Sequence, residues 1–330
     1  MTMKITKLWM LSILFLAFFA VSCNDDDDPI NEAQVLAEYL ESPDGGGDYA
    51  NTAMGAYVVA DGVKALMPVQ NGVYIIDVRL ADAYASGHIE GAVNVALTDV
   101  LSHLDGMDVT AYDKVAIVCY TGQSAAWITN LCRISGYDNV YSMKWGMSSW
   151  NADFDKWTAN TSNMYSTQFS NTPIPKGEEG ALPVLNTGET EGSAIMDARI
   201  DVVLAEGFGA AAITAADVYA NLDNYYIVNY WNLAHYDDPG HIEGAMQYTP
   251  KESIGLDTYL KTLPTDKTIV VYCYTGQTSA NLASYLRVMG YDAKTLKFGA
   301  NSMIYDEMPT AQWSEAQIWG YDYVAPEPAK

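Results

Sequence analysis

The sequence predicts an α/β fold built from two tandem domains, each with a central parallel β-sheet flanked by helices. Three observations lead to this prediction. The chain has 330 residues, of which 49% are hydrophobic, so it is long enough for two domains with buried cores. A set of short motifs occurs twice in the same order, and within each copy short apolar runs alternate with an amphipathic segment. We predict domain 1 at residues 51–157 and domain 2 at residues 191–308.

The N-terminal segment, residues 1–22, has the features of a signal peptide. Lys4 and Lys7 form a basic start, and the apolar run that follows is too short to span a bilayer as a helix. Because this run ends in small residues and Cys23, it resembles a bacterial lipobox, which implies cleavage before Cys23 and lipidation of that residue. An ordinary secretory signal with an incidental cysteine is the alternative interpretation.

An acidic run follows Cys23. Positions 25–28 are all aspartate, and a run of like charges stays solvated. We interpret residues 23–50 as a lipidated acidic tether and lead-in. The lipobox resemblance implies an exported protein, lipid-anchored to the bacterial cell envelope at the outer membrane, with its body on the periplasmic or surface face.

Five motifs define the repeat. The sequence HIEGA begins at His88 and again at His241, an offset of 241 − 88 = 153 residues, and CYTGQ begins at Cys119 and again at Cys273. A strand-like YII or YIV precedes them, and GYD and a Lys-aromatic-Gly motif follow them in both copies. The intervening residues 158–190 have little periodicity, so we predict a mobile linker there and a C-terminal tail at 309–330.

The elements inside each copy follow from hydrophobic spacing. The runs 73–78 and 115–119 are short, apolar and rich in β-branched residues, as is typical of buried parallel strands. Residues 124–135 have apolar side chains at helical spacing and end at a glycine, and residues 278–289 correspond to them in the second copy. Because parallel sheets carry ligands at the carboxyl ends of their strands, both cysteines fall where a site is expected.

The loop after each of these strands has the features of a nucleophile site. Gly122 or Gly276 permits a turn with positive φ, and we expect Ser124 or Thr278 to cap the helix that follows. Successive amide groups would then surround the cysteine sulfur and stabilise its thiolate, or the outer sulfur of a persulfide. The predicted loop residues are Tyr120, Thr121, Gly122, Gln123 and Ser124 after Cys119, and Tyr274, Thr275, Gly276, Gln277 and Thr278 after Cys273.

The order of these motifs, a strand with DVR, then GHIEGAxN, then VCxxGx and a helix, resembles the rhodanese family. The resemblance covers both copies and implies transfer of sulfane sulfur from a small donor to a thiol or similar acceptor through a cysteine persulfide. Tyr120 and Tyr274 follow the cysteines, whereas thiosulfate-type members often have arginine there and mercaptopyruvate-type members glycine. The donor therefore stays open.

Four further residues are predicted to support the site. Asp77 and Arg79 match the DVR motif of the family and form a possible charge pair, which the second copy lacks because it has NYW at this place. His88 and His241 stand where the family has a loop histidine near the site. We interpret both histidines as hydrogen-bonding anchors first, because a lone histidine in a turn is more often structural than a base.

The composition excludes some partners. Seventeen basic against 41 acidic residues give a net charge of −24, so we expect no nucleic-acid partner. No Cys or His residues occur at ligand spacing, so we expect no metal, and the resemblance implies no cofactor. The three cysteines after Cys23 cannot all pair with one another, so at least one thiol should be free, and Cys132 is predicted to lie in the core.

Two other functions remain open. A non-catalytic rhodanese-like binding or adaptor module on the cell envelope is the first alternative, favoured by the missing DVR of the second copy. A phosphatase or arsenate reductase is the second. Such enzymes have an arginine six residues after the cysteine to bind an oxyanion, and this chain has Ala125 and Ser279 at those places.

Overall fold

Two parallel β-sheets of five strands each organise the chain, which the computed structural model describes from residue 30 to residue 325. The predicted signal peptide and lipidation site, Cys23, lie outside the described residues. The strands are β1 (Tyr57–Val58), β2 (Val73–Asp77), β3 (Val93–Asn94), β4 (Lys114–Val118), β5 (Val140–Met143), β6 (Phe169–Ser170), β7 (Ala212–Ile213), β8 (Tyr225–Asn229), β9 (His241–Ile242), β10 (Met246–Gln247), β11 (Thr268–Tyr272) and β12 (Ala293–Leu296). The helices are α1 (Glu32–Glu41), α2 (Tyr49–Thr52), α3 (Ala60–Leu66), α4 (Ala81–Ser86), α5 (Val100–Asp105), α6 (Gln123–Ile134), α7 (Met147–Trp150), α8 (Gly192–Ala210), α9 (Ala215–Ala220), α10 (Leu233–Asp237) and α11 (Gln277–Val288).

The two sheets have the same topology. The strand order is β1-β5-β4-β2-β3 in the first sheet and β7-β12-β11-β8-β10 in the second, and neighbouring strands are parallel. The central strands β4 and β11 are buried on both faces, which explains their continuous apolar sequences. The predicted α/β fold with two tandem domains is therefore confirmed.

Helices α6 and α11 pack against each other and join the two domains. A single apolar core includes Trp127 and Leu131 of α6 together with Leu282 and Leu286 of α11. The sequence predicted one amphipathic face for each helix, but almost every residue of both helices is buried. The reason is that one face packs on the helix's own sheet and the other packs on the neighbouring helix.

The segment before the first repeat packs on the second domain. Helix α1 lies against α8, where Gly192 approaches Tyr39 so closely that a methyl group there would overlap the tyrosine ring. The Glu32 carboxylate accepts hydrogen bonds from the backbone N–H groups of Thr187 and Gly188 at 2.8 and 3.0 Å. Burial alone would raise the pKa of Glu32, but these hydrogen bonds outweigh it and hold the pKa below its usual value.

The predicted linker and tail are also packed. Leu182 and Leu185 are buried in the main core, and β6 pairs antiparallel with β9 of the second domain, so the prediction of a mobile linker was wrong. The tail returns to the first domain, where Trp150 donates a hydrogen bond to the Asp322 carbonyl at 2.9 Å. Among the described residues, no helix is both long and apolar enough to cross a membrane.

Candidate active site

Each cysteine lies in a tight turn between a central strand and the helix that follows it. Cys119 comes directly after β4, and Cys273 comes directly after β11. Gly122 and Gly276 have φ values of 81° and 73°, which confirms the predicted turn, because glycine adopts positive φ without steric cost. Cys119 is 5% exposed and Cys273 is 2% exposed, so a reagent can reach either sulfur only through a narrow opening or after a small movement.

The predicted helix caps are wrong in both loops. The N-cap positions are occupied by Gly122 and Gly276, and the helices begin at the next residue, so Ser124 and Thr278 lie inside the first turn. The positive φ of each glycine brings the following residues into helical geometry one step earlier than predicted. Each cysteine sulfur then accepts the N–H hydrogen bond that a capping side chain would have taken.

Backbone amides of the first helical turn point at both sulfurs. The Cys119 sulfur accepts N–H bonds from Gly122 and Ala125, with nitrogen-to-sulfur distances of 3.1 and 3.4 Å. The Cys273 sulfur accepts one from Ser279 at 3.3 Å. A helix N-terminus carries a partial positive charge, so negative charge is favourable at these two positions.

The second site has a hydroxyl group where the first has a methyl group. The Cys273 thiol lies 3.4 Å from the Ser279 hydroxyl oxygen, which in turn lies 2.7 Å from the hydroxyl of Thr295 on β12. The equivalent of Ser279 in the first copy is Ala125. The two sulfurs therefore share the amide donor six residues after the cysteine, but Cys119 has a second amide donor and Cys273 has a hydroxyl contact instead.

A glycine from the Lys-aromatic-Gly motif supports each loop from behind. Gly146 lies behind the Cys119 loop and Gly299 behind the Cys273 loop. A methyl group on Gly146 would overlap the Cys119 carbonyl oxygen and would lie only 2.6 Å from the Thr121 nitrogen. This close approach explains why the motif is repeated together with the cysteine loop.

The two loops exchange glutamine side chains across the domain interface. The Gln123 Oε1 accepts the backbone N–H of Phe298 at 2.8 Å, and the Gln277 Oε1 accepts that of Trp145 at 3.0 Å. Each bond joins one cysteine loop to the Lys-aromatic-Gly turn of the other copy. This exchange could not be predicted from the motifs, because each partner lies in the other repeat.

Positively charged groups flank Tyr120 in the first domain. Arg79 forms a buried ion pair with Asp77, with a nitrogen-to-oxygen distance of 2.6 Å, and its guanidinium carbon lies 5.0 Å from the centre of the Tyr120 ring. The ammonium of Lys156 lies 5.6 Å from the same ring. The Cys119 loop itself has no arginine, but Arg79, just after β2, lies beside it.

The second domain replaces these charges with aromatic contacts. Trp231, at the place of the arginine, stacks on Tyr274 with ring centres 4.9 Å apart, and the Tyr274 hydroxyl lies 2.6 Å from the His235 Nδ1. Asn229, at the place of the aspartate, donates to the Tyr272 hydroxyl at 2.8 Å. Burial, with Cys273 adding to it, raises the pKa of Tyr274 above its usual range.

The two HIEGA histidines contact backbone carbonyls away from the sulfurs. The His88 Nδ1 lies 3.0 Å from the Tyr84 carbonyl oxygen, and the ring stacks on that tyrosine. The His241 Nδ1 lies 2.9 Å from the Tyr236 carbonyl oxygen, and its Nε2 lies 3.1 Å from the Thr172 carbonyl oxygen. These contacts fix the turns that enter β9 and the corresponding segment of the first domain.

The remaining loop side chains line the turns themselves. The Thr121 hydroxyl accepts a hydrogen bond from the Gln123 side-chain amide at 3.0 Å. The Thr275 hydroxyl accepts one from a backbone N–H two residues later at 3.3 Å. Ser124 and Thr278 are half-buried at equivalent places in the first helical turn.

A cavity of about 260 Å³ opens at the Cys273 loop. Its lining combines four residues of the loop and its helix with two residues of the first domain and one residue of the tail: Tyr274, Thr275, Gln277, Thr278, Tyr57, Lys144 and Ala311. The predicted loop residues of each site all belong to one repeat, so the contribution of the first domain to the second site was not predicted.

The thiols of the described residues are unpaired. Cys119, Cys132 and Cys273 form no disulfide, whereas the odd cysteine count predicted only that at least one thiol is free. Cys132 is fully buried in the core, and burial raises its pKa above the usual range. Within residues 30–325, no three His, Cys, Asp or Glu side chains are grouped so that they could hold a metal ion.

Comparison with known proteins gives one family for both domains. A family model described as the Rhodanese-like domain matches residues 59–153 and residues 214–303. The thiosulfate sulfurtransferase GlpE of Pseudomonas putida is 32% identical over 90 residues, which are 27% of this chain and 80% of that protein. GlpE of Shewanella oneidensis is 33% identical over 85 residues, or 26% of this chain and 81% of its own length. The crystal structure of a thiosulfate sulfurtransferase from Pseudomonas aeruginosa aligns with 91% of this chain and 49% of its own, at 18% identity and a TM-score of 0.31.

Proposed function

The chain belongs to the rhodanese-like domain family, and we propose that it is a sulfurtransferase that carries sulfane sulfur as a cysteine persulfide. In the first step, the thiolate of Cys119 or Cys273 attacks the sulfane sulfur of a small donor. The bond between that sulfur and the rest of the donor breaks, and the rest leaves with the electron pair. In the second step, a thiolate acceptor attacks the outer sulfur, forms a new S–S bond and restores the cysteine thiolate.

The observation that carries this proposal is that backbone amides at a helix N-terminus donate to each sulfur. Cys119 accepts hydrogen bonds from Gly122, at the N-cap, and from Ala125, in the first turn, and Cys273 accepts one from Ser279 in the first turn of its helix. Charge-assisted hydrogen bonds of this kind contribute about 1.5–3 kcal/mol each when they meet an ionised partner. The same donors can stabilise the attacking thiolate and the persulfide that replaces it, so no separate base is required.

The experiment is sulfur uptake followed by mass spectrometry. The purified protein is incubated with thiosulfate, with mercaptopyruvate or with inorganic polysulfide, and each cysteine peptide is then analysed. We expect the Cys119 or Cys273 peptide to gain one sulfur atom, and the Cys119→Ser and Cys273→Ser variants assign the uptake to one loop or to both. The buried Cys132 is an internal control that gains none. If no peptide gains sulfur from any of the three donors, the proposal is wrong.

A binding or adaptor module is the second candidate function. Two observations favour it: both sulfurs are almost fully buried, and Asn229 and Trp231 replace the ion pair in the second domain. A module without turnover has no need of a reactive thiolate. Alkylation of Cys119 and Cys273 distinguishes the candidates, because a thiolate stabilised by amides reacts well below about pH 8.5, where a free cysteine titrates, and a thiol in an inactive module does not.

A phosphatase or arsenate reductase has less support. The side chains six residues after the cysteines are the methyl group of Ala125 and the hydroxymethyl group of Ser279, and neither can clamp an oxyanion as a bidentate guanidinium does. Hydrolysis of a phenyl phosphate by the purified protein, lost on replacement of either cysteine, would revive this alternative.

Export and lipid attachment at Cys23 are part of the same proposal. The lipobox-like sequence that ends at Cys23 and the aspartates at 25–28 support it. Expression in a Gram-negative host with a clickable fatty acid tests it. We expect label on the wild-type chain and none on Cys23→Ala, and we expect the wild-type chain, but not Cys23→Ala, in the membrane fraction. Label that persists in Cys23→Ala would contradict the assignment.

A further inference from the structure

The cavity at the Cys273 loop is rich in hydrogen-bond donors. Lys144 enters it from the first domain, immediately after β5, and the hydroxyl groups of Thr275 and Thr278 enter it from the second. The Tyr57 hydroxyl closes one side, where it donates to Thr278 at 3.4 Å and accepts from Asn281 at 2.6 Å. None of the described residues that line this cavity is acidic.

The side-chain amide of Gln277 provides a buried donor with no acceptor. Gln277 is 2% exposed and lines the cavity. Its oxygen accepts the Trp145 N–H, which fixes the amide orientation, and its Nε2 has no hydrogen-bond partner among the described residues. In the first loop, the equivalent nitrogen of Gln123 donates to Thr121 at 3.0 Å. An unpaired buried donor costs about 1–3 kcal/mol, so the difference between the two loops points to a ligand at the second one.

The ammonium group of Lys144 is also without a counter-charge. Within residues 30–325, no carboxylate lies within ion-pair distance of it. Its nearest recorded partner is the ring of Trp145, 5.3 Å away. Partial burial lowers the pKa of Lys144, because the charged form loses water that no protein anion replaces. An anion in the cavity would supply that missing partner.

We propose that Lys144 and Gln277 form an anion-binding subsite for the Cys273 loop, so that a domain 1 lysine selects a small dianionic sulfur donor for the domain 2 cysteine. This inference rests on the proposed sulfurtransferase function and adds the substrate class and a composite binding site. With thiosulfate, the Cys273 thiolate attacks the outer sulfur, the S–S bond of thiosulfate breaks, and sulfite leaves with the electron pair. The Lys144 ammonium and the Gln277 amide hold the sulfonate oxygens before and during that step.

The test uses a Cys119→Ser background, so that only Cys273 can take up sulfur. Two donors of the same sulfane chemistry are compared, the thiosulfate dianion and the methanethiosulfonate monoanion. Lys144→Gln removes the charge, and Lys144→Arg retains it. Lys297→Gln is the matched control, because Lys297 follows β12 as Lys144 follows β5, and each backbone N–H donates to the adjacent edge strand at 2.9 and 2.8 Å.

Loss of one hydrogen bond to a charged group typically lowers a rate on the order of ten- to a hundredfold. We therefore expect Lys144→Gln to slow persulfide formation at Cys273 by about that factor with thiosulfate and by less with methanethiosulfonate. Lys144→Arg should stay near the parent, and Lys297→Gln should be unchanged. If Lys144→Gln reacts with thiosulfate as fast as the parent while Cys273 still takes up sulfur, the subsite is wrong and the sulfurtransferase function stands.

A second measurement does not depend on turnover. Inorganic sulfate, an unreactive dianion of similar shape, is tested for protection of Cys273 against iodoacetamide at constant ionic strength maintained with chloride. We expect protection in the parent and in Lys144→Arg, and none in Lys144→Gln. If the parent takes up no sulfur but shows this pattern, sulfur transfer at Cys273 fails while the anion subsite stands. Absence of protection in the parent, or equal protection in Lys144→Gln, overturns the subsite.

Discussion

Replacement of Gly146 by alanine tests the support of the Cys119 loop. Gly146 has φ 62° and ψ −155°, a region that is open essentially to glycine alone and costs other residues about 1–3 kcal/mol. The new methyl group would also overlap the Cys119 carbonyl oxygen and would lie 2.6 Å from the Thr121 nitrogen, where ordinary contacts are at least 3.4 Å. Overpacking of this kind adds about 1–3 kcal/mol, so the total loss of stability is about 2–6 kcal/mol.

The loop must move by nearly 1 Å to relieve this overlap. A displacement of that size at a reacting group costs about a hundredfold in rate. We therefore expect Gly146→Ala, in a Cys273→Ser background, to lower the rate of sulfur uptake at Cys119 by about that factor, as measured by mass spectrometry of quenched samples. Urea unfolding measures the free energy of unfolding of the variant. Sulfur uptake is measured without urea, at a temperature at which the variant is folded.

Gly91→Ala is the control for backbone strain. Gly91 has φ 78°, but a methyl group there meets no atom within 4 Å. It should therefore lose only about 1–2 kcal/mol from its positive φ and keep the uptake rate. If Gly146→Ala is as stable and as active as Gly91→Ala, the close approach behind the loop does not position the cysteine, and the reasoning is refuted.

Three more outcomes follow from the packing. Arg79→Met leaves the Asp77 carboxylate buried without its partner and should lower the free energy of unfolding by about 3–5 kcal/mol, which chemical denaturation measures; a loss below 1 kcal/mol would contradict the buried pair. Glu32→Gln should lower the urea midpoint at neutral pH. Because the pKa of Glu32 is lower in the folded state, the stability difference between the two proteins should be fully present above the unfolded-state pKa of about 4.3 and should vanish as the pH falls through the folded-state pKa. A stability difference that does not depend on pH would contradict this. Cys132→Ala should reduce stability by about 1–2 kcal/mol without changing sulfur uptake, and a loss of uptake would contradict its assignment to the core.

The duplicated domains could be predicted from the sequence because both copies keep the same local motifs. The strands around 73–78 and 115–119, the helices that follow the cysteines and the glycine turns at 122 and 276 all depend on residues close together in the chain. The helix caps were mispredicted because the sulfur, not a hydroxyl group, accepts the free amide. A cysteine followed three residues later by glycine is the local signal that would have indicated this.

The parts that could not be predicted depend on contacts between the copies. The exchange of Gln123 and Gln277, the burial of both faces of α6 and α11, and the position of Lys144 at the Cys273 loop all join residues more than 100 positions apart. A local sequence pattern does not indicate that the two domains contact each other through their cysteine loops. The sequence did contain one sign of this contact. Both loops carry a glutamine at the same place, although a solvent-exposed loop would accept many residue types there.

In the proposed reaction, a single sulfur atom passes from donor to cysteine to acceptor. The direct measurement uses thiosulfate labelled at its outer sulfur. The protein is loaded and freed of excess donor, and a small thiol is then added. We expect label on the Cys119 or Cys273 peptide after the first stage, and its transfer to the thiol, with the unmodified cysteine restored, after the second. Label that reaches a cysteine but stays on the protein when the thiol is present would contradict sulfur transfer, and label that never reaches either cysteine would contradict thiosulfate as the donor.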